Sequence, residues 1–355
     1  MNILWLTWRD IKNPEAGGAE KVSIETAKRF TRDGSSITIF SSSYKKSKNK
    51  ERIFGVNIIR KGNRLTCRIH ALFYYLNNKQ KFDLVVDEIN TLPFFAFLYA
   101  GQKTRVLIHQ LAREYWFKET TFPISFIGYF LEPFWLKLYS NRPTLALSNS
   151  TLNDLKKLGF KEIKKYRPGL DFKPQLIKNK ENLILFIGRL TKPKKPDDAI
   201  MAFRKIHNSS PNTKLVVIGR DDKNYLDYLK NLVKKFRLTN HVIFTGFATE
   251  QEKINYLKKA KVVLIPGIRE GWNLVTCEAN ATGCVPIGYD IAGLKDSIKN
   301  NVTGLLVKSS PDSLAQAALK VLGNDKLRKS LIQNGFKLSQ QYSWEKTYQD
   351  FKAFL

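Results

Sequence analysis

Apolar positions along the chain follow two alternating rhythms. Short runs such as NILWLTW (2–8), SITIFSS (36–42), FDLVVDEIN (82–90), RVLIHQ (105–110) and TLALSNS (144–150) are apolar on both sides, the pattern of strands covered on both faces of a parallel sheet. Helical spacing comes between them. In GGAEKVSIETAKRFTRDG, Val22, Ile24, Ala27 and Phe30 fall roughly on one side and Gly34 marks a stop. The rhythm breaks over 167–182, RPGLDFKPQLIKNKEN, where two prolines and a glycine predict a linker.

The pattern then restarts. LILFIGRL (183–190), KLVVIGR (214–220), HVIFTGF (241–247) and KVVLIPG (261–267) read as strands. PDDAIMAFRKIH, NYLDYLKNLVKKFRL and TEQEKINYLKKA read as the helices between them, the last opened by Thr249 and Glu252 at capping-box spacing. Two successive strand–helix arrays predict an α/β fold of two Rossmann-like, doubly wound domains facing a central cleft. The expected division is 1–172, 173–338 and a terminal segment, 339–355.

Composition supports this division. The chain has 355 residues and is 43% apolar, enough for two cores. Its cysteines, Cys67, Cys277 and Cys284, form no CxxC pair and it has four histidines, so neither a disulfide framework nor a zinc site is expected. MNILWLTWRD reaches Arg9 and Asp10 too early for a secretory apolar core. TTFPISFIGYFLEPFWLKLYS (120–140) carries Glu132, Lys137 and two prolines and does not read as a spanning helix. A cytoplasmic location in a reducing compartment is the expectation.

Charge changes the picture. The net charge is +29, with 30 basic against 15 acidic residues in 1–175 and 30 against 16 beyond. An excess spread over both halves fits an anionic partner, whether lipid headgroup, nucleic acid or phosphorylated ligand. It equally fits a lysine-rich solvated surface, since KKSKNK (45–50) and KPKK (192–195) read as exposed loops.

Three stretches carry candidate chemistry. Gly17 and Gly18 stand between the first strand and a helix, where a backbone can approach an anion at a helix start. Arg189 and Lys194, in GRLTKPKK after a strand, fall at a carboxyl edge where α/β sheets bind ligands, and can neutralise a diphosphate. In KVVLIPGIREGWNLVTCEANATG, Glu270 precedes a predicted helix and Glu278 lies within it. Unpaired N–H groups at about 273–275 suit phosphate oxygens, and carboxylates on either side suit sugar hydroxyls. Left open here are a helix-end role for Glu270, a solvated Glu278, and an acid–base pair of the glycosidase kind.

The stretch VIFTGF…INYLKKAKVVLIPGIREGWNLVTCEANATGCVPIGYDIAGLKDSIKNNVTGLLV resembles the signature of retaining glycosyltransferases of family 4, which have the GT-B fold and an E-x7-E pair. AGGAE, LIHQLAREYW, LALSNSTLNDL, RPGLDF and GRLTKPKK extend the likeness over nearly the whole chain. The resemblance implies a nucleotide-diphosphate-sugar donor. Glu270 would contact the transferred sugar and Glu278 the ribose. Asn273, Leu274 and Val275 would offer backbone amides, with Gly188, Gly17 and Gly18 near the donor. Arg189 and Lys194 would neutralise the leaving diphosphate, and His109 would lie near the reacting sugar. The sequence departs from the family where Lys194-Lys195 replaces Lys-Gly and where EGWNL replaces EGFGL, so that Asn273 stands for a glycine.

The implied reaction is transfer with retention by front-side displacement. No metal or cofactor is implied, and the sequence has no DxD triplet; its Asp-Asp pairs, 197–198 and 221–222, fall at loops or helix starts. The acceptor, a glycan or lipid-linked molecule, is expected on the first domain. There the stretches 63–81 and 115–139 are either interior helices or elements resting on an anionic membrane at its cytoplasmic face. The terminal SWEKTYQDFKAFL is expected to pack back on the first domain. The competing readings are an epimerase or phosphorylase of the same architecture, and a nucleic-acid-associated protein or DNA-modifying transferase, for which no recognition motif is present.

Overall fold

A computed structural model of the chain describes residues 1–221 and 224–355, apart from the side chains of Lys118 and Glu119. Asp222, the second residue of the later Asp-Asp pair, lies outside the described residues. Two compact units form, one from Met1–Gly169 with Ser343–Leu355, the other from Leu170–Tyr342.

In the first unit the doubly apolar runs become strands for the expected reason. In Asn2–Leu6 (β1) everything from Ile3 onward is buried, and in Leu84–Ile89 (β5) every residue is. Ser36–Ser41 (β2), Lys50–Ile53 (β3), Val56–Arg60 (β4), Thr104–Ile108 (β6), Thr144–Ala146 (β7) and Ile163–Lys165 (β8) complete an eight-stranded sheet among the described residues. Its order is β3-β4-β2-β1-β5-β6-β7-β8.

Three features depart from the sequence reading. The β3–β4 pair is an antiparallel hairpin that caps an otherwise parallel sheet. Its polar edge, KERIFGVNIIR, hides it from an apolar-run search. The run 144–150 is strand only to Ala146. Ser148 then caps the helix Asn149–Lys157, accepting from the Thr151 N–H at 3.1 Å. Third, β8 falls in a stretch too polar to read as a strand.

The terminal helix Trp344–Lys352 belongs to the first unit. Phe351 stacks on Trp5 and Tyr348 meets Phe30 edge-on. The Trp344 ring leaves no room for a Cβ at Gly169.

The second unit carries a six-stranded sheet among the described residues, β11-β10-β9-β12-β13-β14. The strands are Glu181–Ile187 (β9), Lys214–Ile218 (β10), Val242–Gly246 (β11), Ala260–Ile265 (β12), Val285–Tyr289 (β13) and Leu305–Val307 (β14). Every pairing is parallel, so all six carboxyl ends share one edge. Helix Glu250–Lys259 opens with the expected capping box: the Glu252 N–H donates to Thr249 Oγ1, and the Thr249 N–H donates to Glu252 Oε2. Residues 170–180 form neither helix nor strand. They are pinned by Gln175 N–H to Ala281 O (2.8 Å) and by Lys180 Nζ to Thr282 O (2.8 Å).

Candidate active site

In the second unit the predicted residues gather on the carboxyl edge of the sheet. Gly188 and Arg189 follow β9, and the Gly188 N–H donates to Ile218 O at 3.0 Å. The ends of β9 and β10 approach so closely that a Cβ at Gly219 would lie 1.8 Å from Gly188 O. Position 219 therefore has to be glycine.

The loop after Arg189 folds against the loop after β12. Ile268 N–H donates to Pro193 O at 3.0 Å. Beside it, Lys194 Nζ reaches both oxygens of Glu270, at 2.7 and 2.8 Å. The two expected site residues are thus direct partners, with Glu270 only 8% exposed. Gly293 supports Glu270 from behind, since a Cβ there would stand 1.9 Å from Glu270 O and its φ is +82°. Lys195, the residue in place of a glycine, itself takes a left-handed backbone (φ 50°), and its Nζ is held by Asp198 at 2.7 Å. For a side-chain-bearing residue this costs about 1 kcal/mol.

Asn273 begins the helix Leu274–Thr282 with φ 75° and ψ 95°. Asparagine is among the few residue types that tolerate positive φ. Its side chain does not cap the helix, and its buried Oδ1 has no protein partner. The N–H groups of Leu274 and Val275, in the first turn, have no carbonyl ahead of them within the helix. Trp272 is buried against Tyr342 and donates from Nε1 to Cys277 Sγ at 3.0 Å. Burial pushes the Cys277 thiol up to about 12.

Glu278 is not a solvated helix residue. Residues 276–282 are all buried, and the neighbouring helix Asp325–Ser339 packs so closely that a Cβ at Gly335 would lie 2.3 Å from Asn280 Oδ1. One oxygen of Glu278, Oε1, accepts from Lys253 Nζ at 2.7 Å, while the other, Oε2, is buried without a protein partner. Burial raises the carboxyl above its ordinary range, and the Lys253 charge offsets that only in part. Lys253 also pairs with Glu250 at 2.9 Å. Sequence reading missed Lys253; its helix was legible, but the partner lies 25 residues away. Each carboxylate of the E-x7-E pair therefore has its own lysine.

In the first unit Gly17 and Gly18 are exposed at the start of helix Gly18–Arg32. The Gly17 N–H donates to Glu20 Oε2 at 2.7 Å, and Arg9 holds Oε1 of the same carboxylate at 2.8 Å. The loop before them is anchored by Asp10, which receives Nε and Nη2 of the fully buried Arg60, both at 2.7 Å.

His109 follows β6 and is 5% exposed. Its Nδ1 lies 2.5 Å from Tyr166 Oη and its Nε2 3.3 Å from Glu88 Oε1. Glu88, a second residue missed in the sequence, also accepts from Trp5 Nε1 (2.7 Å) and Ser23 Oγ (2.6 Å). Burial opposes its charge, but hydrogen bonds from His109, Ser23 and Trp5 outweigh that and hold the carboxyl below its ordinary range. Burial keeps the Tyr166 hydroxyl protonated. Tyr166 then donates to Nδ1 and Nε2–H donates to Glu88, an assignment drawn from the network. Among the described residues no three His, Cys, Asp or Glu side chains gather in a metal-binding cluster.

Residues 170–338 match the family model of glycosyl transferases group 1, so the second unit carries that family's sequence pattern. The chain is 34% identical over 171 residues to an uncharacterized glycosyltransferase of Methanocaldococcus jannaschii, a match that covers 48% of this chain and 43% of the relative. The chain thus spans less than half the length of this curated relative.

Among solved structures, the sucrose-phosphate synthase of Thermosynechococcus elongatus superposes with a TM-score of 0.81 at 17% identity, over 99% of this chain and 97% of that one. Anabaena HepE in complex with UDP-glucose gives 0.78 at 16% identity, over 99% and 98%. The chain has the two-domain GT-B fold of these proteins.

Proposed function

We propose that the chain is a retaining glycosyltransferase that moves a hexose from a nucleotide-diphosphate sugar to a hydroxyl of a glycan or lipid-linked acceptor. The observation that carries this reading is Glu278: a buried carboxylate with one oxygen fixed by Lys253 and the other, Oε2, left for a ligand hydroxyl. It lies in a short helix whose first turn is uncapped. A ribose hydroxyl on Oε2 and phosphate oxygens on the amides of Leu274 and Val275 fit one ligand. Because HepE was solved with UDP-glucose, a UDP-sugar is the first donor to test, with a GDP-sugar next.

The chemistry follows from charge. The acceptor oxygen bonds to the anomeric carbon on the face that the diphosphate leaves, the bond from that carbon to the phosphate oxygen breaks, and the acceptor proton passes to a leaving phosphate oxygen. Arg189 and Lys194 stabilise the negative charge that develops there, a type of contribution worth about 3–4 kcal/mol per donor. Glu270 orients the sugar. His109, held by Glu88 and Tyr166, is assigned to the acceptor. The reaction needs no metal, and the protein works at the cytoplasmic side of the cell.

The test is calorimetric titration of wild type and Glu278→Ala with UDP-, GDP-, ADP- and dTDP-sugars. One nucleotide class binds wild type, and the variant loses at least about tenfold of that affinity. No binding to wild type by any of them at millimolar concentration sinks the reading. Product stereochemistry and activity in chelator then test retention and metal independence. No observation favours the nucleic-acid reading raised by the charge.

A further inference from the structure

Two helices of the first unit expose apolar faces that a solvated protein covers. Helix Cys67–Asn78 seats Cys67, Ala71 and Tyr75 on the sheet, at i, i+4 and i+8. Its opposite face carries Ile69, Phe73 and Leu76, which are 57%, 58% and 45% exposed. Helix Ile124–Lys137 is inverted outright. It turns Ser125, Gly128, Glu132 and Leu136 inward and points Ile124, Ile127, Phe130 and Phe134 outward, followed by Leu138. These five are 53–68% exposed, and a fully buried side chain of this size is worth about 1.5–3 kcal/mol.

Both helices lie on the same face of the sheet. The first packs over Leu4, Leu6 and Val85, and the second is clustered with Ile89, Val106 and Ile108. Val85 and Ile89 share one face of β5, and the registers Leu4↔Val85 and Ile89↔Ile108 carry that face across β1 and β6. Leu98, 73% exposed, lies in the segment whose Phe97 and Tyr99 meet Tyr139 and Tyr75 between the two helices. The outward apolar surface is therefore one side of the unit, larger than single scattered residues.

Its rim is positive. From 61 to 81 the chain exposes Lys61, Arg64, Lys79 and Lys81 and has no acidic residue, while Arg68 turns inward onto Leu92 O and Pro93 O. From 120 to 142 the one acidic residue is Glu132, which faces inward and accepts the N–H groups of Ala112 (2.6 Å) and Arg113 (2.7 Å). No helix among the described residues is long and apolar enough to cross a membrane.

We propose that this face docks on an anionic lipid bilayer, with Phe73, Phe130 and Phe134 among the inserted side chains and the lysines on phosphate headgroups. A second copy of the chain fits less well, because a two-fold contact would bring the positive rim onto itself. The docked helix Ile124–Lys137 also fixes the acceptor side. Glu132 clamps the backbone three and four residues past His109, so that loop is held at the height of the headgroups. Docking stands without the transferase reading; the consequence, that the acceptor is lipid-linked, rests on it.

The test is flotation of the full chain with phosphatidylglycerol-containing and pure phosphatidylcholine vesicles. The expected result is binding to the anionic vesicles. It weakens about tenfold or more in Phe130→Ser/Phe134→Ser and again in Lys79→Glu/Lys81→Glu. Both double variants keep the wild-type thermal midpoint and UDP-sugar affinity. If no nucleotide sugar binds wild type but flotation persists, the donor reading fails and docking stands. Absence of flotation, flotation unchanged in the phenylalanine variant, or self-association that the phenylalanine variant abolishes without any vesicle binding overturns the proposal.

Discussion

Lys194 Nζ sits between the two carboxylate oxygens of Glu270, 2.7 and 2.8 Å away. The residue assigned to the leaving diphosphate is thus neutralised by the residue assigned to the sugar. A donor diphosphate has to draw the lysine at least partly from that carboxylate, so the two roles compete in the free protein and cooperate once donor is bound. Glu270→Gln releases the competition. Its expected signature is opposite signs: UDP binds as tightly as to wild type or a few-fold tighter, while transfer falls on the order of a hundredfold. Calorimetry with UDP beside initial rates checks this. A tenfold loss of UDP affinity in the variant would show the pair to be purely structural.

If Glu278 holds the donor as proposed, Lys253 acts on the donor through it. Lys253→Met leaves a buried carboxylate already raised by burial without its compensating charge, which favours the protonated form. The expected cost is about 2–3 kcal/mol of stability and a several-fold weaker donor affinity at neutral pH. Part of that affinity returns in Lys253→Arg, which restores charge. Denaturant unfolding and calorimetry on the two variants separate this from simple loss of packing, which arginine would not repair.

The fold was legible because its cause is local. Runs apolar on both sides have to be covered strands, and Thr249 with Glu252 announces a helix start before any tertiary contact exists. The placement of the second unit's candidate residues was legible in outline for a related reason: a strand end, a loop and a helix start follow one another in sequence, so Glu270, Asn273 and Glu278 fall on one edge by chain order alone. Their partners were not legible. Lys194 is 76 residues from Glu270, Lys253 is 25 from Glu278, and the ring nitrogens of His109 are met from 57 and 21 residues away. Such pairs are set by sheet order. For the stretches 63–81 and 115–139 the sequence left interior and surface readings open, because only the structure tells which face of a largely apolar helix has nothing over it.

Gly293 is a positioning residue for Glu270. In Gly293→Ala the added Cβ would stand 1.9 Å from Glu270 O, in a backbone with φ +82°. The loop has to move, taking Glu270 from Lys194. A loss of about 2–3 kcal/mol in stability is expected. Transfer should fall by more than that loss accounts for, at temperatures where the variant is fully folded. Rates measured well below the midpoint decide it; a folded variant with wild-type turnover would remove Gly293 from the argument.

Glu88 makes the first unit sensitive to acid. The carboxylate accepts from Trp5, Ser23 and His109 inside the unit, and these bonds hold its folded pKa below the ordinary 4.5 despite burial. The unfolded chain therefore binds the proton first. The stability this group contributes is fully present above about pH 4.5 and is lost as pH falls through the lower folded value. Glu88→Gln keeps the shape but meets the Trp5 and Ser23 donors without a charge. At neutral pH the variant should be less stable by about 2–3 kcal/mol. The gap to wild type should close on the acid side, while affinity for UDP, whose proposed contacts are Glu278, Leu274 and Val275, stays at the wild-type value. Urea unfolding at neutral pH and in steps below pH 4.5 measures both arms. A gap that does not narrow with acid would mean that the carboxylate's charge contributes nothing, and that His109 is held by shape alone.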